Sequence, residues 1–221
     1  MPPQFLLAKI IRVINTSLLP CNMGYLIGIA GNSGSGKSTL AYGLQDRFPT
    51  LIEVVYFTDY QKLIEQIPLY QGIRDWDCPE AIDFDGLFSD LDLLKSGKDI
   101  EIMTKNERYN PTYPKDWKRI PHIITAKDII IVEGYMALVD ERVRRLYDLS
   151  IFLDLCPEER MTRRRTKNQS QEYIERILLP MQEKHVEPTK KLADIVIDTK
   201  EYSSRDVQEQ ILELLRAKEF L

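Results

Sequence analysis

The chain has 221 residues, 43% of them hydrophobic, and 34 acidic against 30 basic side chains give a formal net charge of -4. That length builds one sizeable core, and no Gly/Ser linker or low-complexity run divides it. The acidic balance, with an isoelectric point near 5.4, argues against a face that grips duplex nucleic acid and points to a small-molecule substrate.

In chain order, residues 1–22 stand apart from the rest. Phe5 to Leu19 is apolar, but Lys9 and Arg12 interrupt it, so no run there is long enough to cross a bilayer. With no small-residue cleavage site, the segment reads as a loosely held extension before a domain spanning 23–221, and Met23 is an alternative start. Tyr25 to Ala30 is a short apolar run that predicts a strand. Leu40, Leu44 and Phe48 repeat every four residues and predict a helix from Ser38 to Arg47.

Further strands are predicted at Val54–Phe57, Asp128–Val132, Leu149–Leu153 and Ile195–Ile197, each short and apolar on both faces. Helical spacing lies between them: Phe84, Leu87, Phe88, Leu91 and Leu94, then Val143, Leu146 and Tyr147, then Val207, Ile211, Leu214 and Leu215. Strands alternating with helices imply an α/β three-layer sandwich on a five-stranded parallel sheet. Two segments break the alternation. Asp99 to Ile124 is rich in prolines and aromatics and is expected to cover a substrate, and the Arg-rich stretch after Pro157 is expected to form a lid. Cys21, Cys78 and Cys156 are too scattered for a zinc pattern or a disulfide framework, which fits a reducing cytoplasm.

The chemistry starts at Gly31-Asn32-Ser33-Gly34-Ser35-Gly36-Lys37-Ser38, a complete G-x-x-x-x-G-K-[ST] between a predicted strand and a predicted helix. In such a loop the glycines let backbone N–H groups turn inward around ATP phosphates, Lys37 reaches the outer oxygens and the Ser38 hydroxyl ligates Mg²⁺, with Thr39 completing the expected ATP-binding run. A guanine-selecting N-K-x-D is absent, and the D-x-x-G at Asp83–Gly86 falls inside a predicted helix. The fold therefore points to a kinase more than to a GTPase.

Ligands of parallel sheets gather at the carboxyl ends of the strands. Asp59 lies just past the second strand, where a carboxylate can take the proton of an acceptor hydroxyl, although Asp is also a favoured helix cap. Glu133 ends the third strand beside Gly134 and is placed to hold Mg²⁺ through water. Arg160, Arg163 and Arg164 share one helix face by their spacing, with Arg165 beside them. Such a face can overlie the triphosphate and neutralise charge during transfer.

Taken in order, GNSGSGKST, FTDY, DWDCPEAIDFD, IIIVEGY, SIFLDLCPEERMTRRR and HVEPTKKLADIVI resemble the uridine kinase family of P-loop nucleoside kinases, relatives of nicotinamide riboside kinase and phosphoribulokinase. The resemblance runs from about Met23 to the C-terminus. It implies that Asp59 is the general base, that Asp77 binds the ribose hydroxyls, and that Arg164 reaches the phosphoryl group or the ribose. It further implies ATP as donor with Mg²⁺, a nucleoside such as uridine or cytidine as acceptor, a cytoplasmic location, and no nucleic-acid or membrane partner. A homo-oligomer is compatible with it. The chain departs from the family where the pyrimidine would sit. The run from Lys105 to Tyr113 lacks the family's histidine and leaves Tyr109 or Tyr113 as the stacking group. The lid is shorter, with Lys167 as a partial substitute for later arginines, and His122 and His185 read as structural. Two alternatives stay open: a kinase for another alcohol (nicotinamide riboside, pantothenate, a sugar phosphate), and a nucleotide-binding regulator that has lost its chemistry.

Overall fold

Branched apolar residues dominate five short segments, and these form the central sheet. The computed structural model of the chain describes residues 24–164 and 170–221, with the backbone alone over 161–164. Strands β1 (Tyr25–Ala30), β2 (Ile52–Tyr56), β7 (Ile129–Glu133), β8 (Leu149–Asp154) and β9 (Ile195–Asp198) are all parallel, in the order β2-β7-β1-β8-β9. β1 is central. The chain leaves it for β2 on one side and later reaches β8 on the other, so the order reverses at its carboxyl end, where such sheets bind ligands.

Side-chain alternation splits the core between two faces. Leu26, Ala30, Ile130 and Val132 pack beneath helices α2 (Phe84–Lys95) and α4 (Glu141–Leu146). Ile27, Ile29, Ile129 and Ile131 pack beneath α1 (Lys37–Arg47) and the C-terminal α6 (Ser204–Ala217). Each fully buried Leu or Ile contributes roughly 1.5–3 kcal/mol, so a sheet covered on both sides is rigid enough to aim the loops at its edge. The α6 start is set by a reciprocal capping box between Ser203 and Asp206.

Two expectations shift in detail. The second strand begins earlier, at Ile52, and ends at Tyr56, because Phe57–Tyr60 turns into a 3₁₀ helix that buries Phe57 against Gly134. The segment expected to cover a substrate is an antiparallel hairpin, β5 (Ile100–Thr104) with β6 (Ile120–Ile124), whose tip carries the short helix α3 (Tyr113–Asp116). A smaller hairpin, β3 (Leu69–Tyr70) with β4 (Ile73–Arg74), follows the Phe57–Tyr60 turn. The helix expected to begin at Pro157 is present as α5 (Pro157–Arg164), with proline in its first turn as favoured. After it, residues 171–192 form a continuous irregular helical segment with wide π-type turns at Ile174–Leu178 and Gln182–Val186. A separate small core joins this segment to the loop before α2, packing Ile177 and Met181 on Ile67, Cys78 and Ala81. Trp76 and Tyr173 flank that core, which fixes Asp77 at the cavity wall.

Candidate active site

The Gly31–Ser38 loop joins β1 to α1 as the pattern predicts. Gly31, Gly34 and Gly36 have φ of 138°, 92° and 96°, values that L side chains rarely adopt. At Gly31 space is closed as well, since a Cβ would stand 2.3 Å from the Leu153 carbonyl oxygen. The loop is thereby bent into a concave turn of backbone amides. Lys37 is buried, and its Nζ donates to the Asn32 carbonyl at 2.9 Å. Asn32 Oδ1 and Ser35 Oγ are buried without a hydrogen-bond partner, a cost relieved when a polar ligand supplies one.

Ser38, on the first turn of α1, meets Glu133, at the end of β7, because β1 and β7 are neighbours in the sheet. The Ser38 hydroxyl donates to Glu133 Oε1 at 3.1 Å, and Glu133 is 2% exposed. Gly134 follows it because the Phe57 ring fills the space of its missing side chain. Among the described residues no group of three His, Cys, Asp or Glu side chains could hold a metal by itself. One hydroxyl and one carboxylate fit Mg²⁺, which keeps several waters and draws further oxygens from phosphates.

One cavity of about 1560 Å³ touches both halves of the expected reaction. Its wall includes Ser33 and Ser38 of the loop, Tyr56 and Thr58 at the β2 exit, and Asp77 across from them. Asp77 Oδ2 accepts from the Tyr173 hydroxyl at 2.6 Å. Burial first, and then the charge of Asp77, push the Tyr173 phenol up, so it stays a donor.

Asp59 takes a less direct position than the sequence suggests. It does not cap a helix. It sits within the Phe57–Tyr60 turn, 7% exposed, with Oδ2 accepting from Thr104 Oγ1 and Oδ1 from the Lys105 amide, both at 2.7 Å. Its carboxylate opens on an adjoining cavity of about 490 Å³ that shares Gln61, Lys62, Met103 and Arg119 with the larger one. Burial raises its pKa, and the two hydrogen bonds, Lys105 and Arg119 oppose the rise. Each oxygen keeps lone-pair capacity for an acceptor hydroxyl.

Tyr109 requires correction. Its ring stacks on His122 at 4.2 Å and its hydroxyl donates to Gln45, so it braces the hairpin against α1 outside the large cavity. Tyr113 does line the cavity, beside Trp117. Arg160 is also corrected, because it is buried against the 171–192 segment, with Nη1 donating to Gln182 Oε1 and Nη2 3.6 Å from Glu187. Among the described residues its link to the phosphate loop runs through Glu187, which accepts from Asn32 Nδ2. The side chains of Arg163 and Arg164, together with Arg165 and Lys167, lie outside the described residues. Thr39 is exposed on the first turn of α1.

Sequence reasoning missed Gln61, Trp76, Tyr135 and Tyr173, which are linked by hydrogen bonds across the cavity wall. The adjacency of Trp76 to Asp77 was the available signal. The EPTKK-x-AD run also gains a physical reason. Glu187 holds the phosphate loop, Lys190 pairs with Asp154 at the end of β8, and Asp194 accepts from the Ser150 amide and hydroxyl at 2.8 and 2.6 Å.

Comparison with known proteins agrees with this layout. Residues 26–205 match the model of the Phosphoribulokinase / Uridine kinase family. The uridine kinase of Brevibacillus brevis is 33% identical over 187 residues, covering 78% of this chain and 83% of that protein. That of Streptococcus pyogenes is 29% identical, covering 78% and 86%. A solved structure described as a possible uridine kinase from Bacillus stearothermophilus superposes with a TM-score of 0.58 at 18% identity, covering 88% of this chain and 96% of that one, a likeness of fold. The chain is thus a P-loop phosphotransferase that acts on a hydroxyl acceptor, and it belongs to the Phosphoribulokinase / Uridine kinase family.

Proposed function

We propose that the chain transfers the γ-phosphate of ATP to a ribosyl hydroxyl in the cytoplasm, with the 5′-hydroxyl of uridine or cytidine as the first acceptor to test. The observation that carries this reading is the single cavity running from Ser33 and Ser38 past Thr58 to Asp77. Loop amides and Lys37 cradle the phosphates, which a helix N-terminus and a lysine charge both favour. Ser38, with Glu133 acting through water, would hold Mg²⁺, which when bound neutralises charge between the outer phosphates. Asp59 orients the acceptor hydroxyl and takes its proton, and its burial keeps it a stronger base than a solvated aspartate. Asp77 accepts two hydrogen bonds from a ribose diol, and Arg164 is assigned to the transferring phosphoryl group.

ADP release measured with uridine, cytidine, nicotinamide riboside, pantothenate and sugar phosphates tests this reading. Turnover with a nucleoside is expected, and silence from every nucleoside would discard the nucleoside assignment. One observation favours a different alcohol as acceptor: the cationic Lys105 lines the cavity beside Trp76, and no histidine is among its described lining residues.

A further inference from the structure

Two cations, Lys105 and Arg119, face the acceptor cavity without a carboxylate in direct contact among the described residues. Lys105 closes β5 at the root of the hairpin, and its amide is anchored on Asp59, so its side chain departs from a fixed point. Its ammonium donates one hydrogen bond to Gln61 Oε1 and lies 5.8 Å over the Trp76 ring. Arg119, just before β6, spans the same wall, donating from Nη1 to the Asp59 carbonyl at 2.9 Å and from Nη2 to the Gln61 carbonyl at 2.5 Å. Among the described residues neither cation has a carboxylate within 4.0 Å. Both line the large cavity.

Half-buried cations are ordinarily matched by an acid, because desolvated charge is unfavourable alone. Burial first, and then the neighbouring Arg119, lower Lys105 to about 8 against the opposing charge of Asp59. Asp59 is the one carboxylate that offsets the pair, and its oxygens are turned toward Thr104 and the Lys105 amide. An ammonium has three N–H groups and a guanidinium five, so donors remain for a ligand. On the far side of Trp76, Asp77 is already shared with Tyr173.

We propose that Lys105 and Arg119 form an anion subsite in the acceptor cavity, so that the favoured acceptor carries a phosphate monoester or a carboxylate besides the hydroxyl that is phosphorylated. This rests on the phosphotransferase reading and narrows its acceptor class. It ranks anionic alcohols first, neutral nucleosides second and the cationic nicotinamide riboside last. A role confined to bracing the hairpin predicts no such order.

The experiment compares ribose 5-phosphate and pantothenate, the phosphate and carboxylate arms, with uridine and nicotinamide riboside. Each is titrated calorimetrically into the full chain loaded with Mg²⁺ and a non-hydrolysable ATP analogue, and each is assayed in parallel for ADP release. At least one anion is expected to bind about 10- to 100-fold more tightly than uridine, the range of a hydrogen bond to a charged group. Lys105→Met should collapse that preference, and Lys105→Arg should restore most of it. Which anion prevails tells phosphate from carboxylate. Binding that is lost in Lys105→Met without ADP release from any arm upholds the subsite and overturns the kinase reading instead. Uridine binding as well as or better than both anions, or a Lys105→Met variant that weakens all four alike, overturns the subsite. If Lys105→Met does not fold, Lys105→Gln answers the same comparison.

Discussion

The donor half and the acceptor half of the cavity are built by different means. The donor half is one contiguous stretch, Gly31–Ser38, in which backbone amides do the recognising and the glycine conformations set the shape. The acceptor half draws single side chains from the β2 exit, the Trp76 loop, the hairpin, Tyr135 and Tyr173. Backbone recognition tolerates many flanking sequences, so it survives as a motif. Side-chain recognition changes with each substitution, so it can be reassigned within one fold.

The sharpest way to break this comparison is to remove the donor lysine. Lys37→Ala should lower turnover about 10³-fold or more with every acceptor, read as ADP release at saturating acceptor; an effect on one acceptor alone would dissolve the division. Phe57 lies beneath both halves, fully buried against Gly134, Phe84 and Tyr135. Phe57→Ala should cost about 3–5 kcal/mol in urea unfolding, and a loss under 1 kcal/mol would mean that the turn is not anchored there. Glu133→Gln should raise the Mg²⁺ concentration for half-maximal rate by about 10-fold or more while the acceptor KM stays fixed.

The next effect is confined to the acceptor half. Lys105 faces Asp59 and Arg119 and is lowered to about 8, so its charge is present below that pH and lost above it. Preference for anionic acceptors should therefore fall as pH rises through about 8, and a flat preference from pH 7 to 9 would remove Lys105 from the subsite. Smallest is Tyr109→Phe, which deletes the 3.3 Å bond to Gln45 and the hydroxyl's interaction with the exposed Arg108. Stability should stay within about 0.5 kcal/mol and the acceptor KM should not move. A several-fold rise in KM would return Tyr109 to the cavity.

The same division explains what could be read before the fold was known. The five strands, their parallel order and the phosphate loop follow from apolar runs and one local pattern, because their partners are backbone groups. Ser38 and Glu133 were each singled out separately, one as the last residue of the loop pattern and one as the end of a strand, and the fold brings the two side chains together. Tyr109 lies away from the large cavity because the loop after β5 folds back and stacks its ring on His122 of β6, and no local spacing encodes that fold-back. The place of Asp59 just past β2 was legible, but its engagement with Thr104 and Lys105 depends on a hairpin docked 45 residues away. Arg160 was assigned by helical spacing and by its place after a strand's carboxyl end, and neither signal encodes the burial that sets its guanidinium against Gln182.

The most direct test of the whole account is Asp59→Asn, assayed for ADP release and titrated with Mg-ATP in the same preparation. The account predicts that turnover falls by orders of magnitude while the nucleotide binds as in the parent chain. Unchanged turnover in the variant, or a parent chain that does not bind Mg-ATP at all, would contradict it.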